Sequence, residues 1–392
     1  MNLRHLVPVM GVLAITAGSS VFAEDKGPSV SFNGWSDNFL YVDSTNADNN
    51  PATAKNEKSL GIGFASTESL KVNAKIVDGV TAKINLFIIP GTNVINVREG
   101  YMSWALNSDW TWSAGKYIDH IGWLSPEPTG LYTPNASLIG YLGIYGNDVI
   151  GTNIAYASKE SPISGSFHLT NGYFDAADAI SQGAPTPGRS THRENADLGY
   201  GLDLTYAFPK DLGNIDFDFA YDPHGGDPGL YRVSNGLGGA PAATVGNGEL
   251  GGDALLLGLN ATLKPAEGWL IGAEIMYFTI GDRKDVNKAT VNDTGAKRTQ
   301  GMLLANYALP KGTVSIPVSI TGMFQYITAE SDVANSPKPK ATEFAVAVLT
   351  NPLQSANFGL NGELAFTSFD SDAPGVKKVN DVTFSVEALV AF

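Results

Sequence analysis

Ser166, His168 and Thr170 stand at every second position of the segment SGSFHLT. In an extended chain they share one face, and a hydroxyl beside an imidazole is the pairing that nucleophilic acyl transfer uses. A triad also needs a third group and an oxyanion pocket, which spacing cannot supply. The simpler reading is polar lining. The remaining histidines beyond residue 23, His120, His192 and His224, have no metal-ligand spacing, and cysteine is absent. The glycines of GNGELG at 246–251 match a dinucleotide pattern but have no strand–helix context. No cofactor and no metal site is expected.

A second set of residues works by charge alone. Lys71, Lys75 and Lys83 are close in sequence, whereas Asp203, Asp216, Asp218, Glu274, Glu343, Glu363 and Glu387 are spread over the later chain. Each alternates with apolar neighbours. In ESLKVNAKIVDGVTAKINLFI, Leu70, Val72, Ala74 and Ile76 alternate with Lys71, Asn73 and Lys75. Asp78-Gly79 then makes a two-residue turn, after which Val80, Ala82, Ile84, Leu86 and Ile88 resume the pattern. Period two means strands with two different environments.

Sixteen such strands are expected, at 30–42, 60–77, 80–89, 96–106, 110–118, 149–158, 164–172, 197–208, 214–222, 253–264, 269–280, 298–309, 313–328, 341–350, 356–369 and 381–392. Short turns alternate strictly with longer loops. Tyr206, Phe208, Trp269, Tyr307 and Phe392 gather at the short-turn end of the strands; Tyr221, Tyr277, Phe324, Tyr326, Phe344 and Phe366 gather at the other. Two aromatic bands around an aliphatic zone, an even strand number and unequal loops describe an outer-membrane barrel with short periplasmic turns. The fold class is all-β, a transmembrane antiparallel β-barrel over residues 24–392. Charged rings in such a lumen set ion preference, and the acidic excess points to cations. No Lys or Arg is expected on the lipid face at mid-span, where it costs about 2–4 kcal/mol. Glu68 and Arg98 share apolar phases, which implies a bulge or a projection beyond lipid, and Pro317 implies local distortion of its strand.

The opening MNLRHLVPVMGVLAITAGSSVFAED has the form of a signal peptide cut after Ala23. A formal charge of −14 argues against nucleic acid. Hydropathy alone also fits a secreted soluble β protein or adhesin.

SVSFNGWSDNFLYVDST, NVREGYMSWAL and DWTWSAGKYIDHIGW are similar to segments of the β-barrel porins described as OmpL-like, with the likeness concentrated over 29–175. The terminal VTFSVEALVAF, with Phe384, Val390 and Phe392 on its apolar phase, resembles the sorting signal read by the barrel assembly machinery. The resemblance implies an outer membrane of the Gram-negative type, with lipid, lipopolysaccharide and small hydrophilic solutes as partners. By analogy with sixteen-stranded porins it also implies a homo-oligomer, and a segment 119–148 folded inward with Asp119, His120 and Glu127 facing the lysines. A barrel-embedded acyl hydrolase acting through Ser166 is the competing expectation.

Overall fold

In the computed structural model of the chain, the described residues are 28–45, 59–89, 94–124, 130–134, 148–173, 198–223, 253–281, 296–331, 338–353, 357–370 and 378–392. The signal segment, His192, His224, the 246–251 glycines and Glu127 lie outside them. Alternating β-branched and aromatic residues give β1 (Ser29–Thr45), β2 (Ser59–Val77), β3 (Val80–Ile89), β4 (Val94–Ala105), β5 (Trp110–Ile118), β6 (Asp148–Ala157), β7 (Ile163–Thr170) and β8 (Gly199–Ala207). The second half supplies β9 (Gly213–Asp222), β10 (Ala254–Leu263), β11 (Trp269–Ile280), β12 (Ala296–Ala308), β13 (Val318–Ser331), β14 (Lys340–Thr350), β15 (Phe358–Asp370) and β16 (Val379–Ala391). Gly79 turns β2 into β3 with a φ of 77°, a region that costs a side chain energy and glycine none.

Each strand pairs antiparallel with its sequence neighbours, and β1 pairs with β16, so the sheet closes. Closure leaves the barrel without lateral sheet edges along the paired lengths, which lipid could not hydrogen-bond. At the seam the Gly34 amide donates to the Phe392 carbonyl at 2.8 Å, and the Phe392 amide donates to Gly34 at 3.0 Å. A Cβ at Gly34 would lie 2.1 Å from the Ser69 carbonyl oxygen and 2.9 Å from Phe392 Cζ. Gly34→Ala is therefore expected to cost about 1–3 kcal/mol through overpacking. It should convert to the unfolded gel band at a lower temperature than wild type; an unchanged conversion temperature would show that the seam absorbs the methyl.

One face of the sheet is apolar and turned outward. Ile275, Leu303, Phe324, Phe344 and Phe366 are exposed there, and Phe324, Phe344 and Phe366 lie side by side in register across β13–β15. At the other end of the strands, Trp269 packs tilted against Tyr307 with ring centroids 4.7 Å apart, and Trp110 against Tyr156 at 5.0 Å. The fold is a transmembrane barrel of sixteen antiparallel strands.

Several sequence expectations change in detail. Connections at 90–93, 309–317 and 351–357 break the strict alternation of short and long, since the first is shorter than the other two. The reason lies partly in Pro317. It has no N–H for a ladder bond, and β13 starts only at Val318, which leaves the residues before it as turn. Asn85 pairs with Glu99 and Leu86 with Val97, so Arg98 is the extra residue of a bulge. The bulge keeps Ile95, Val97, Met102 and Trp104 exposed outside and swings the Arg98 guanidinium over the inward Phe87 ring at 5.5 Å. No bulge rescues Glu68, which stays in the outward phase of Leu70. Lys116 also faces outward with Trp110 and Trp112, against the expectation of no mid-span cation, while Ser113 and Tyr117 on the opposite phase are buried.

Candidate pore lining and constriction

The inward phase carries polar clusters and one apolar patch. On β2–β4, Ser69 Oγ donates to Asn85 Oδ1 at 2.6 Å, and Asn85 Nδ2 donates to Glu99 Oε2 at 2.9 Å. Lys83 Nζ meets the same Glu99 oxygen at 2.6 Å and lies over the Tyr101 ring. Lys71, Lys75 and Lys83 share this inward face, since Lys83 pairs opposite Asn73, between the other two. Lys75, near the turn, is paired with Asp78.

The acids fall into two groups. Asp203 and Asp218 stand opposite one another on β8 and β9, and Asp216 accepts from Asn214 Nδ2 at 2.6 Å. Glu343, Glu363 and Glu387 follow on β14–β16. Glu343 accepts from Gln325 and Thr367 at 3.1 and 3.0 Å, and Glu387 accepts from Asn361 at 2.5 Å. Asp37, on β1 beside the seam, belongs to the second group and is 1% exposed. Spacing missed it, because polar and apolar residues occupy both phases of β1. Spacing also missed Glu99, whose direction depends on the bulge.

The segment after β5 enters the barrel. The Gly122 amide donates to Asp218 Oδ2 at 3.3 Å and the Trp123 amide to Glu274 Oε2 at 2.7 Å. Trp123 Nε1 donates to Thr262 Oγ1 at 3.0 Å, so one residue is held by β10 and β11 together. The indole stacks on Tyr132 with centroids 5.6 Å apart, and both rings pack with Leu124 on Leu270, Met302, Leu304, Met323, Ile327, Ala341, Ala345 and Ala365. These side chains form an apolar patch on the inner wall of β11–β15, which also carries the buried polar side chains Glu274, Arg298, Gln300 and Gln325. Small and flexible side chains there leave room for two aromatic rings; Gly272 touches Trp123 so closely that a Cβ would lie 2.1 Å from Cζ2.

Asp119 and His120 do not face the lysines. His120 stacks on His168 with centroids 4.3 Å apart and meets Tyr173 edge-on, while Asp119 Oδ1 accepts from the Ile121 amide at 3.3 Å. The cause is local. Three residues beyond Tyr117 the chain already crosses toward β7–β9, and the lysines lie on β2–β3. Burial lowers the His120 imidazole to about 4, so the ring is neutral at pH 7.

Ser166 Oγ lies 2.6 Å from His168 Nε2, and His168 Nδ1 lies 3.2 Å from the Tyr117 hydroxyl. The hydroxyl–imidazole pair is therefore formed. Its third member is a phenol, which orients an imidazole but does not supply the fixed negative charge that stabilises an imidazolium.

No protein-family model matches the chain, and no curated protein sequence matches it. Solved structures do. The outer-membrane channel DcaP of Acinetobacter baumannii aligns over 93% of this chain and 98% of its own, with TM-score 0.59 and 12% identity. An anion-selective porin from Comamonas acidovorans aligns over 93% and 100%, with TM-score 0.54 and 14% identity. OprB of Pseudomonas putida aligns over 93% and 94%, with TM-score 0.54 and 8% identity. At such identities the likeness is one of fold, and the fold it identifies is the sixteen-stranded barrel that β1–β16 form.

Proposed function

We propose that the chain is an outer-membrane porin through which small hydrophilic solutes diffuse passively. The observation that carries this reading is the closed barrel with an apolar outer face and a charge-lined interior. Sixteen strands enclose enough space for an aqueous channel. In this reading residues 1–23 are the export signal, the Phe384–Phe392 strand is read by the barrel assembly machinery, and lipid and lipopolysaccharide surround the mature chain. The inward segment held by Asp218, Glu274 and Thr262 narrows the pore. The lumen prefers cations modestly, because its acids outnumber Lys71, Lys75, Lys83, Arg98 and Arg298.

Reconstitution of the refolded protein in a planar bilayer tests the proposal. Stepwise conductance without an energy source is expected; folded protein that inserts without conducting would overturn it. The Ser166–His168 contact supports a second reading, acyl-ester hydrolysis in the barrel wall. Ester hydrolysis that disappears in Ser166→Ala, with conductance retained, would favour that reading.

A further inference from the structure

Gly122 and Trp123 are tied to the wall through backbone amides, whereas His120, just before them, is held by its ring. The wall is shaped for that ring. His168 lies against it at 4.3 Å with the planes 19° apart, and Tyr173 meets its edge at 6.0 Å. Gly201 of β8 leaves the space beside it, since a Cβ there would stand 2.9 Å from His120 Cε1. His168 is itself fixed from two sides, with Ser166 Oγ 2.6 Å from Nε2 and the Tyr117 hydroxyl 3.2 Å from Nδ1. The next residue of the segment, Ile121, packs into an apolar cluster with Val149, Ala220 and Leu256. Water is scarce there: His120 is 9% exposed and His168 1%.

A neutral imidazole fits this seat and an imidazolium does not. Neither ring nitrogen of His120 makes a hydrogen bond among the described residues, although the Leu202 and Phe219 carbonyls are near. A charged ring would bury a cation face to face with a second basic ring, which is unfavourable on both counts. Acids do stand nearby. Asp119 accepts from the Ile121 amide, Asp218 of β9 from Gly122 and Asn260, and Asp222 of β9 from the Tyr173 amide. Asp203 of β8 lies across from Asp218, and the phenols of Tyr117 and Tyr173 complete the titratable surroundings. Three of these four carboxylates are already engaged with amides. Burial outweighs their attraction and leaves the docked ring neutral down to about 4. Released into water, the same ring returns to the ordinary imidazole value of about 6.5.

We propose that His120 is a proton-operated latch: acid charges the ring, the ring leaves its seat on His168, and the inward segment loses part of its hold on the wall. The sign follows from linkage. Docking requires the ring to stay neutral, so its contribution is complete above the ordinary imidazole range and declines as pH falls from there toward about 4. Between pH 7.5 and pH 5 the docking equilibrium is expected to fall at least about tenfold. Asp218 and Glu274 also hold the segment, through the Gly122 and Trp123 amides, and a carboxylate that takes up a proton accepts less strongly. The variants must therefore separate the imidazole from the carboxylates.

The latch takes its consequence from the porin reading, in which this segment narrows the pore, and two readouts keep the two apart. Hydrogen exchange over residues 119–124, corrected for the intrinsic effect of pH, is measured by mass spectrometry on refolded protein in lipid nanodiscs at pH 7.5 and pH 5. Bilayer conductance is recorded on the same preparations. In wild type, protection of the Gly122 and Trp123 amides should drop at least about tenfold at pH 5, and conductance should rise. His120→Phe keeps a ring that stacks but cannot be charged, so its protection should be equal at the two pH values. His120→Gln gives up the stack, docks more weakly at both, and should likewise show no dependence on pH. Asp218→Asn weakens docking throughout and should retain the drop, because the imidazole is still present. Equal protection at both pH values in wild type, a drop that survives in His120→Phe and His120→Gln, or a drop that disappears in Asp218→Asn would overturn the latch. A drop in protection that leaves conductance unchanged would support the latch and strike the pore-narrowing reading instead.

Discussion

Trp123→Ala is expected to raise single-channel conductance, and to make it noisier, without unfolding the barrel. The side chain is 2% exposed and is gripped from both sides, by Tyr132 and by the apolar patch on β11–β15. Removing a buried tryptophan of this kind costs about 3–5 kcal/mol. Here most of that cost falls on the docking of the inward segment, because the barrel's own ladder does not pass through Trp123. The Trp123 amide would keep its bond to Glu274, but a bond to a carboxylate contributes only about 1.5–3 kcal/mol, less than the lost indole. Gly272→Ala should give the same phenotype from the opposite direction, since its new methyl would occupy the space of the indole. If both variants conduct as wild type does, while their gel mobility shows folded barrels, then the segment held by Asp218, Thr262 and Glu274 does not narrow the path.

The second large effect concerns ion preference. The described part of the inward segment packs on β7–β15, which leaves Asp37 on β1 and Glu387 on β16 outside the covered wall and Glu363 on β15 at its margin. Asp37, Glu363 and Glu387 are each under 5% exposed; Asp37 and Glu387 hydrogen-bond to each other by sharing a proton, so the three groups carry at most two negative charges, poorly screened by water. Replacing the three together, as Asp37→Asn, Glu363→Gln and Glu387→Gln, should move the potassium-to-chloride permeability ratio at least about twofold toward anions. Reversal potentials in a salt gradient read this directly. Asp203→Asn serves as the comparison, because it removes one charge from the wall that the inward segment covers, and a smaller shift is expected. Equal shifts for the triple and the single variant would mean that the seam acids have no special position. Asp218 is unsuitable for this comparison. Its Oδ2 accepts from both Gly122 and Asn260, so neutralising it would also disturb the inward segment.

Much of the barrel is legible in the local order of its residues. Alternation in 70–88 specifies a hairpin, Asp78-Gly79 specifies its turn, and the aromatic residues at strand ends specify which face meets lipid. These signals are local, since each depends on neighbours a few residues apart. Arg98 marks where local reading stops. Its phase in VREGYMSWAL points outward, and only the pairing of Asn85 with Glu99 and of Leu86 with Val97 shows that one residue is inserted. Pro317 is similar: the pattern runs through it, yet the missing N–H ends the ladder on its far side.

The candidate constriction was legible only as an unusual stretch of chain. Trp123 has no periodic neighbours, and its partners Thr262 and Glu274 are 139 and 151 residues away. Nothing in Met302, Met323 or Ala345 says that these inward side chains of β12–β14 form a platform for two aromatic rings. Local pattern specifies the strands, their turns and the apolar face of each, down to Phe392. Tertiary structure alone decided where charges and rings stand inside the barrel. A strand's period separates two faces, but the neighbours across each face are set by closure, by register and by a single inserted residue.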